Sequence, residues 1–217
     1  MSPVRSLAAF AVAVPVFAAA SADAGVVFMV GGLTSVRLNY EALQTAAGLT
    51  FAGYTEAVIV PGNLGPDSAG FVVTPPIAAE QPTTFSYDSD DWFATLTGTI
   101  GHRGSIVFNE GAVVVGNFDI FFSEGAFRVA DTVSGLGVLF DVEATSANAT
   151  ASSFVATGNL FVSSNLAQLL ITLGFTEIDL TGALVGDALI EGFMVVPAPG
   201  AVVAFAAAGL FARRRRR

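Results

Sequence analysis

Between residues 25 and 196 the chain reads as short β-branched and aromatic runs cut by Gly, Pro, Asn and Asp, the pattern of many short strands. The clearest block is 95–142. There Thr95–Ile100 is expected to turn at Gly101-His102-Arg103-Gly104 into Ser105–Phe108, giving a hairpin. Asn109-Glu110-Gly111 then turns into Ala112–Phe122, a long strand with Gly116 at a bulge, and Ala126–Asp131 and Leu136–Val142 continue the meander. The Pro/Gly-rich stretch 61–82 holds one further strand, Gly70–Val73, and the Ala/Ser/Thr-rich stretch 145–153 reads as flexible.

Two segments break this pattern and resemble each other. Gly32–Thr50 aligns without gaps with Gly158–Thr176, with identities at Gly32/Gly158, Val36/Val162, Asn39/Asn165, Leu43/Leu169, Gly48/Gly174 and Thr50/Thr176. Each copy reads as a strand, an Asn N-cap, two helical turns, a terminating Gly and a new strand. Internal repetition is one reading; two similar short helices closing the ends of a sandwich is the other. Few helical periods occur elsewhere. The expected fold is therefore mainly β, an antiparallel β-sandwich with two short helices.

The chain ends add a topology. Met1–Arg5 carries one arginine, Leu7–Ala20 is apolar, and Ala22-Asp23-Ala24 places small residues at Ala22 and Ala24, the two positions that signal peptidase reads. Residues 1–24 thus read as a secretory signal peptide, residues 25–194 as one exported β domain, and residues 195–217 as a separate C-terminal element. In that element Pro197 and Pro199 forbid helix, so an apolar helix begins near Gly200 and runs to Ala212. Its length, roughly 20 Å, is short of the roughly 30 Å hydrocarbon core and is extended by arginine snorkelling. The guanidiniums of Arg213, Arg214, Arg215, Arg216 and Arg217 never deprotonate and hold the terminus on the cytoplasmic side, a stop for a transmembrane helix.

A Pro-x-Pro element, a short apolar helix and an arginine run, in that order, resemble the PEP-CTERM sorting signal of bacterial exosortase substrates. The resemblance covers Val195–Arg217. Pro197, Ala198 and Pro199 stand at the family motif, with Ala198 where that family usually has Glu. What the resemblance implies is cleavage near this motif by an exosortase-like membrane protease, after membrane anchoring through the C-terminal helix. The destination is the cell surface or the extracellular matrix.

Charge narrows the function of the middle domain. Of the 9 Lys+Arg all are arginine, and only Arg37, Arg103 and Arg128 lie between the two end signals, against every Asp+Glu of the 18 except Asp23. Such a field repels nucleic acid, so no nucleic-acid partner is expected, and it attracts divalent cations. The absence of lysine excludes Schiff-base and P-loop chemistry, and the absence of cysteine excludes disulfides and thiolate metal sites. With a single histidine, His102, no multi-histidine metal site is possible, and its predicted place between turn glycines makes it an exposed residue without a nucleophile elbow. Sequence spacing leaves open whether two carboxylates face each other as glycoside hydrolysis requires.

Asp88, Asp90 and Asp91, just before Trp92, form the densest acidic cluster and the candidate calcium ligands, although the EF-hand register fails, with Phe93 at its sixth position and Thr99 at its twelfth. The alternative for this cluster is a solvated loop ahead of a strand. Trp92, Tyr87 and Phe85 read as core and loop-edge residues, with a sugar-stacking platform as the alternative. The sequence thus points to an exported structural protein of the surface or matrix. A polysaccharide- or calcium-binding module comes second and an enzyme third.

Overall fold

The structure is a computed structural model that describes residues 25–55 and 57–197. In chain order its elements are β1 (Val26–Leu38), α1 (Tyr40–Ala47), β2 (Phe51–Tyr54), β3 (Val58–Ile59), β4 (Ala69–Val72), β5 (Ser86–Asp88) and α2 (Trp92–Thr95). There follow β6 (Thr99–Gly101), β7 (Ser105–Phe108), β8 (Val113–Gly116), β9 (Asp119–Ser123), β10 (Ala126–Asp131), β11 (Gly137–Ala149), β12 (Ser153–Val162), α3 (Ser164–Thr172) and β13 (Leu184–Val195). All strand pairs are antiparallel. The larger sheet has 10 strands, in the order β3-β4-β1-β13-β12-β11-β10-β9-β6 with β5 alongside β1, and β2-β7-β8 make a smaller one. The chain is mainly β and sandwich-like, with few helices.

Strict period-2 alternation fixes which face is inside. On β12, Phe154, Ala156, Gly158, Leu160 and Val162 are buried while Val155, Thr157, Asn159 and Phe161 face outward. The large sheet curls over this buried face until its edges touch. Val73, just past β4, bridges His102, just past β6, and the Thr74 amide donates to the Gly101 carbonyl at 2.8 Å.

The expected hairpin at 95–108 does not form, because Gly101–Gly104 is a corner and not a reversal. β6 pairs with β9 in the large sheet, whereas β7 pairs with β2 and β8 in the small one. The returning strand bends at the same level. Ala112–Phe122 is not one long strand but β8 and β9, separated at Asn117, whose φ is +44°. One kinked ribbon, turning at Asn109–Gly111 as expected, thus crosses from sheet to sheet. The crossing needs its glycines: Gly104 has φ +109°, and a Cβ on Gly116 would lie 2.5 Å from the Gly104 carbonyl oxygen.

Of the two expected helices, α1 starts at Asn39, whose Oδ1 accepts the Ala42 amide at 2.9 Å, and stops at Gly48 in the left-handed region at φ +61°. α3 is capped by Ser163 and not by Asn165. The Ser163 hydroxyl accepts the Leu166 amide at 3.1 Å, a contact typically worth about 1 kcal/mol. Asn165 lies inside the helix and ties it to β11 by donating to the Leu136 and Val138 carbonyls at 2.5 and 3.1 Å. No strand follows α3 directly, and β13 begins only at Leu184. The two helices close the same end of the sheet, not opposite ends. Leu43 of α1 and Leu166 and Leu170 of α3 meet Phe108 and Leu139 around an apolar cavity of about 60 Å³.

A third helix, α2, caps the opposite end with Trp92 and Phe93. Here Phe154 is enclosed by Phe85, Tyr87, Trp92 and Phe127 at centroid distances of 5.0, 6.0, 6.3 and 6.2 Å. The Tyr87 hydroxyl reaches the Thr150 and Ser153 carbonyls at 2.8 and 3.0 Å, tying down the turn between β11 and β12. Most of the stretch 145–153 is therefore strand and not flexible linker. Its small residues pair with β12, and the Thr157 hydroxyl bonds those of Thr145 and Ser146 at 2.8 and 2.7 Å. Both ends of the domain leave from this aromatic end, where Phe28 pairs with Val195.

Candidate functional site

Asp88 closes β5, and Asp90 and Asp91 lie in the turn that leads into α2, so the acidic cluster precedes a helix rather than a strand. Asp88 Oδ1 accepts the Asp90 amide at 3.0 Å, which folds the turn on itself. Among the described residues no group of three or more His, Asp or Glu is arranged to hold a metal ion. Of the sorting residues, Pro197 is exposed two positions beyond β13, while Ala198, Pro199 and Arg213–Arg217 lie outside the described residues, as do Ala22 and Ala24. Among the described residues no helix is long and apolar enough to cross a membrane.

His102 is buried, contrary to its expected place in an exposed turn. The corner at Gly101–Gly104 turns its ring into the core, where it is 1% exposed among Phe71, Phe118, Ile120 and Leu160. Its Nδ1 lies 2.9 Å from the Phe118 carbonyl oxygen, which only accepts, so Nδ1 carries the proton and Nε2 accepts from the Thr34 hydroxyl at 2.7 Å. Burial pushes the imidazole down to about 4. Both nitrogens are thus satisfied in the neutral form, a packing role with no water-accessible nucleophile beside it.

A second satisfied polar pair lies near α1. The Tyr40 and Tyr54 hydroxyls are 2.5 Å apart, and the Tyr40 ring stacks on Phe51 at 4.2 Å. Burial, with the Tyr54 hydrogen bond adding to it, raises the Tyr40 phenol far above its ordinary range and keeps it protonated.

The arrangement best suited to a ligand is a groove of about 720 Å³ beside α2. It exists because neighbouring strands differ in length: β10 pairs with β11 only as far as Val142, whereas β11 continues to Ala149 with β12 alone. Trp92 and Phe93 stand over this step, packed edge to face at 5.5 Å, and Phe93 rests on Phe122 at 5.6 Å. Phe93 is 58% exposed, a large ring presented to solvent on a fixed support. Across the groove stand the carboxylates of Asp141 and Glu143. Arg128 holds Asp141 at 3.5 Å and Glu124 at 2.6 Å, so one wall is positioned by ion pairs.

A flat apolar ring facing hydroxyl-accepting carboxylates can stack a sugar face and bind its hydroxyls. Sequence reasoning named Trp92 here but missed Phe93, Phe122, Asp141 and Glu143, which come from separate elements and carry no shared spacing. Of the proposed stacking trio, Phe85 and Tyr87 are 1% exposed and belong to the core. A polar groove of about 710 Å³ lies on the outer face of β1 and β13, where the Arg37 guanidinium forks onto Asp187 at 3.1 and 3.0 Å.

No family model and no curated protein matches the chain. Among solved structures, the crystal structure of the C-terminal domain of HtaA from Corynebacterium glutamicum is similar in fold, at a TM-score of 0.52 and 14% identity over 77% of this chain and 99% of that one. At that identity the likeness is one of architecture, and it covers nearly the whole of that domain.

Proposed function

We propose that this chain is an exported structural protein of the cell surface or extracellular matrix. In this reading it is held in the membrane by residues 200–217 until an exosortase-like protease acts near Pro197-Ala198-Pro199, and it has no catalytic role. The observation that supports this reading best is the placement of the ends. β1 begins and β13 finishes as paired neighbours, so a leader before Gly25 and a tail after Pro197 leave from one end of the domain and the rest faces away. Exchange of Arg213–Arg217 for Gln is expected to release uncut or mis-cut protein, because these charges stop the short apolar helix. Intact mass of the cell-associated and secreted fractions reads the result, and unchanged processing counts against the tail being used this way.

A second reading, a polysaccharide-binding module, is favoured by the groove beside Phe93. Phe93→Ser is expected to weaken retardation in gels containing a neutral glucan by about fivefold, since stacking on an aromatic face contributes on the order of 1 kcal/mol. Equal migration of both chains with and without glucan removes this reading.

A further inference from the structure

We propose that the aromatic end of the domain rests on the lipid surface into which the C-terminal tail inserts, with Phe28, Phe193 and Val195 at the headgroup boundary. The inference rests on the anchoring reading above and adds an orientation to it.

The outward positions of β13 change character along the strand. Asp187 and Glu191, with Leu189 between them, give way to Phe193 and Val195, which are 67% and 43% exposed. The register places Phe28 opposite Val195 and Phe193 opposite Gly31, so Phe28, 39% exposed, joins the same patch. Val26 lies two residues before Phe28 on the same face, and Val196 directly follows the strand; both are exposed. Five exposed apolar side chains are therefore gathered in the last rows before the tail, while Leu173 and Leu184 are exposed at the opposite end. From Val195 to Gly200, where the apolar run begins, an extended chain reaches at most about 18 Å. Insertion of that run brings the patch to within this distance of the bilayer.

The only tryptophan lies at the same end, since Trp92 packs on Phe154, the Cα partner of Gly192. Trp is the side chain that favours the interface between headgroups and acyl chains. A second copy of the chain fits the patch less well. Five side chains fall short of the roughly 800 Å² per partner of a standard interface, and pairing would set the Asp88 and Glu191 carboxylates of two copies near each other. Acidic character also selects the lipid: contact through apolar groups suits a zwitterionic surface.

The chain has no cysteine, so one introduced residue carries one label. Full-length Phe193→Cys and, at the helix end, Leu173→Cys are each labelled with an environment-sensitive fluorophore and reconstituted in phosphatidylcholine vesicles that carry headgroup-level nitroxides. Quenching at position 193 is expected to exceed that at position 173 by at least about threefold, as for a side chain seated in the interface. In the unaltered chain, Trp92 is expected to be quenched more by these nitroxides than by nitroxides at the bilayer centre. Equal quenching at 193 and 173 in a chain that floats with the vesicles overturns the orientation and leaves the anchoring intact. Failure to float overturns both. A blue shift at 193 that grows with protein concentration and resists lipid quenchers assigns the patch to a second copy and also overturns the proposal.

Discussion

Phe154→Ala is expected to lower the unfolding free energy by about 3–5 kcal/mol, the range for truncating a fully buried aromatic ring. Phe154 is 0% exposed on β12, and four aromatic rings surround it. They lie just before β5 (Phe85), on β5 (Tyr87), on α2 (Trp92) and on β10 (Phe127), segments that cannot all close around the void, so the cavity term stays in full. Phe154→Leu keeps most of the volume and is expected to cost less than half as much. Urea melts followed by Trp92 fluorescence measure both. A cost below about 1 kcal/mol for the Ala variant would show that the aromatic end is not packed around this ring.

The second large effect is a loss of stability in acid that traces to His102. In the folded chain its pKa lies at about 4, against an ordinary 6.5 when exposed. Between these values the unfolded chain takes up the proton and the folded chain does not, so stability is complete above about pH 6.5 and falls as the pH drops towards 4. The full difference is on the order of 3 kcal/mol. Asp119, whose pKa burial raises, acts in the opposite sense over part of this range. His102→Asn isolates the histidine contribution: it is less stable at neutral pH, because Thr34 loses its acceptor, but its stability is expected to fall less between pH 6.5 and 4. The single imidazole gives one Hε1 resonance, which is expected to hold its neutral shift down to about pH 5. Equal slopes in the two chains, or an imidazole that titrates near 6.5, would place His102 in water.

The residues explain which features could be read in advance. Asn39 and Gly48 bound α1 as expected because caps act within a few residues of the chain. Residues 126–131 alternate strictly, and they form β10 at the expected positions. By contrast, a glycine-rich break such as Gly101–Gly104 marks equally well a reversal or a passage between sheets. The choice belongs to the partner strands, and it is what turns His102 inward. The stretch 145–149 lacks the bulky β-formers, and its extension is imposed by neighbours on β12 such as Thr157 rather than by its own propensity. The helix at Trp92–Thr95 is too short to show a period. The groove beside it arises from a difference in strand length, which no local pattern records.

The place of β13 in the sheet sets an order of events. It is the last strand among the described residues, yet it lies between β1 and β12 and bonds to both along nearly its whole length. However the chain emerges, from a ribosome or through a pore, β1 and β12 must wait with bare edges until residues 184–195 have followed. Up to that moment the earlier strands make at most a sheet with a gap at its middle, still pliable enough to be threaded. The lock closes only as residues 184–195 arrive, so the middle of the large sheet is completed after both of its flanks.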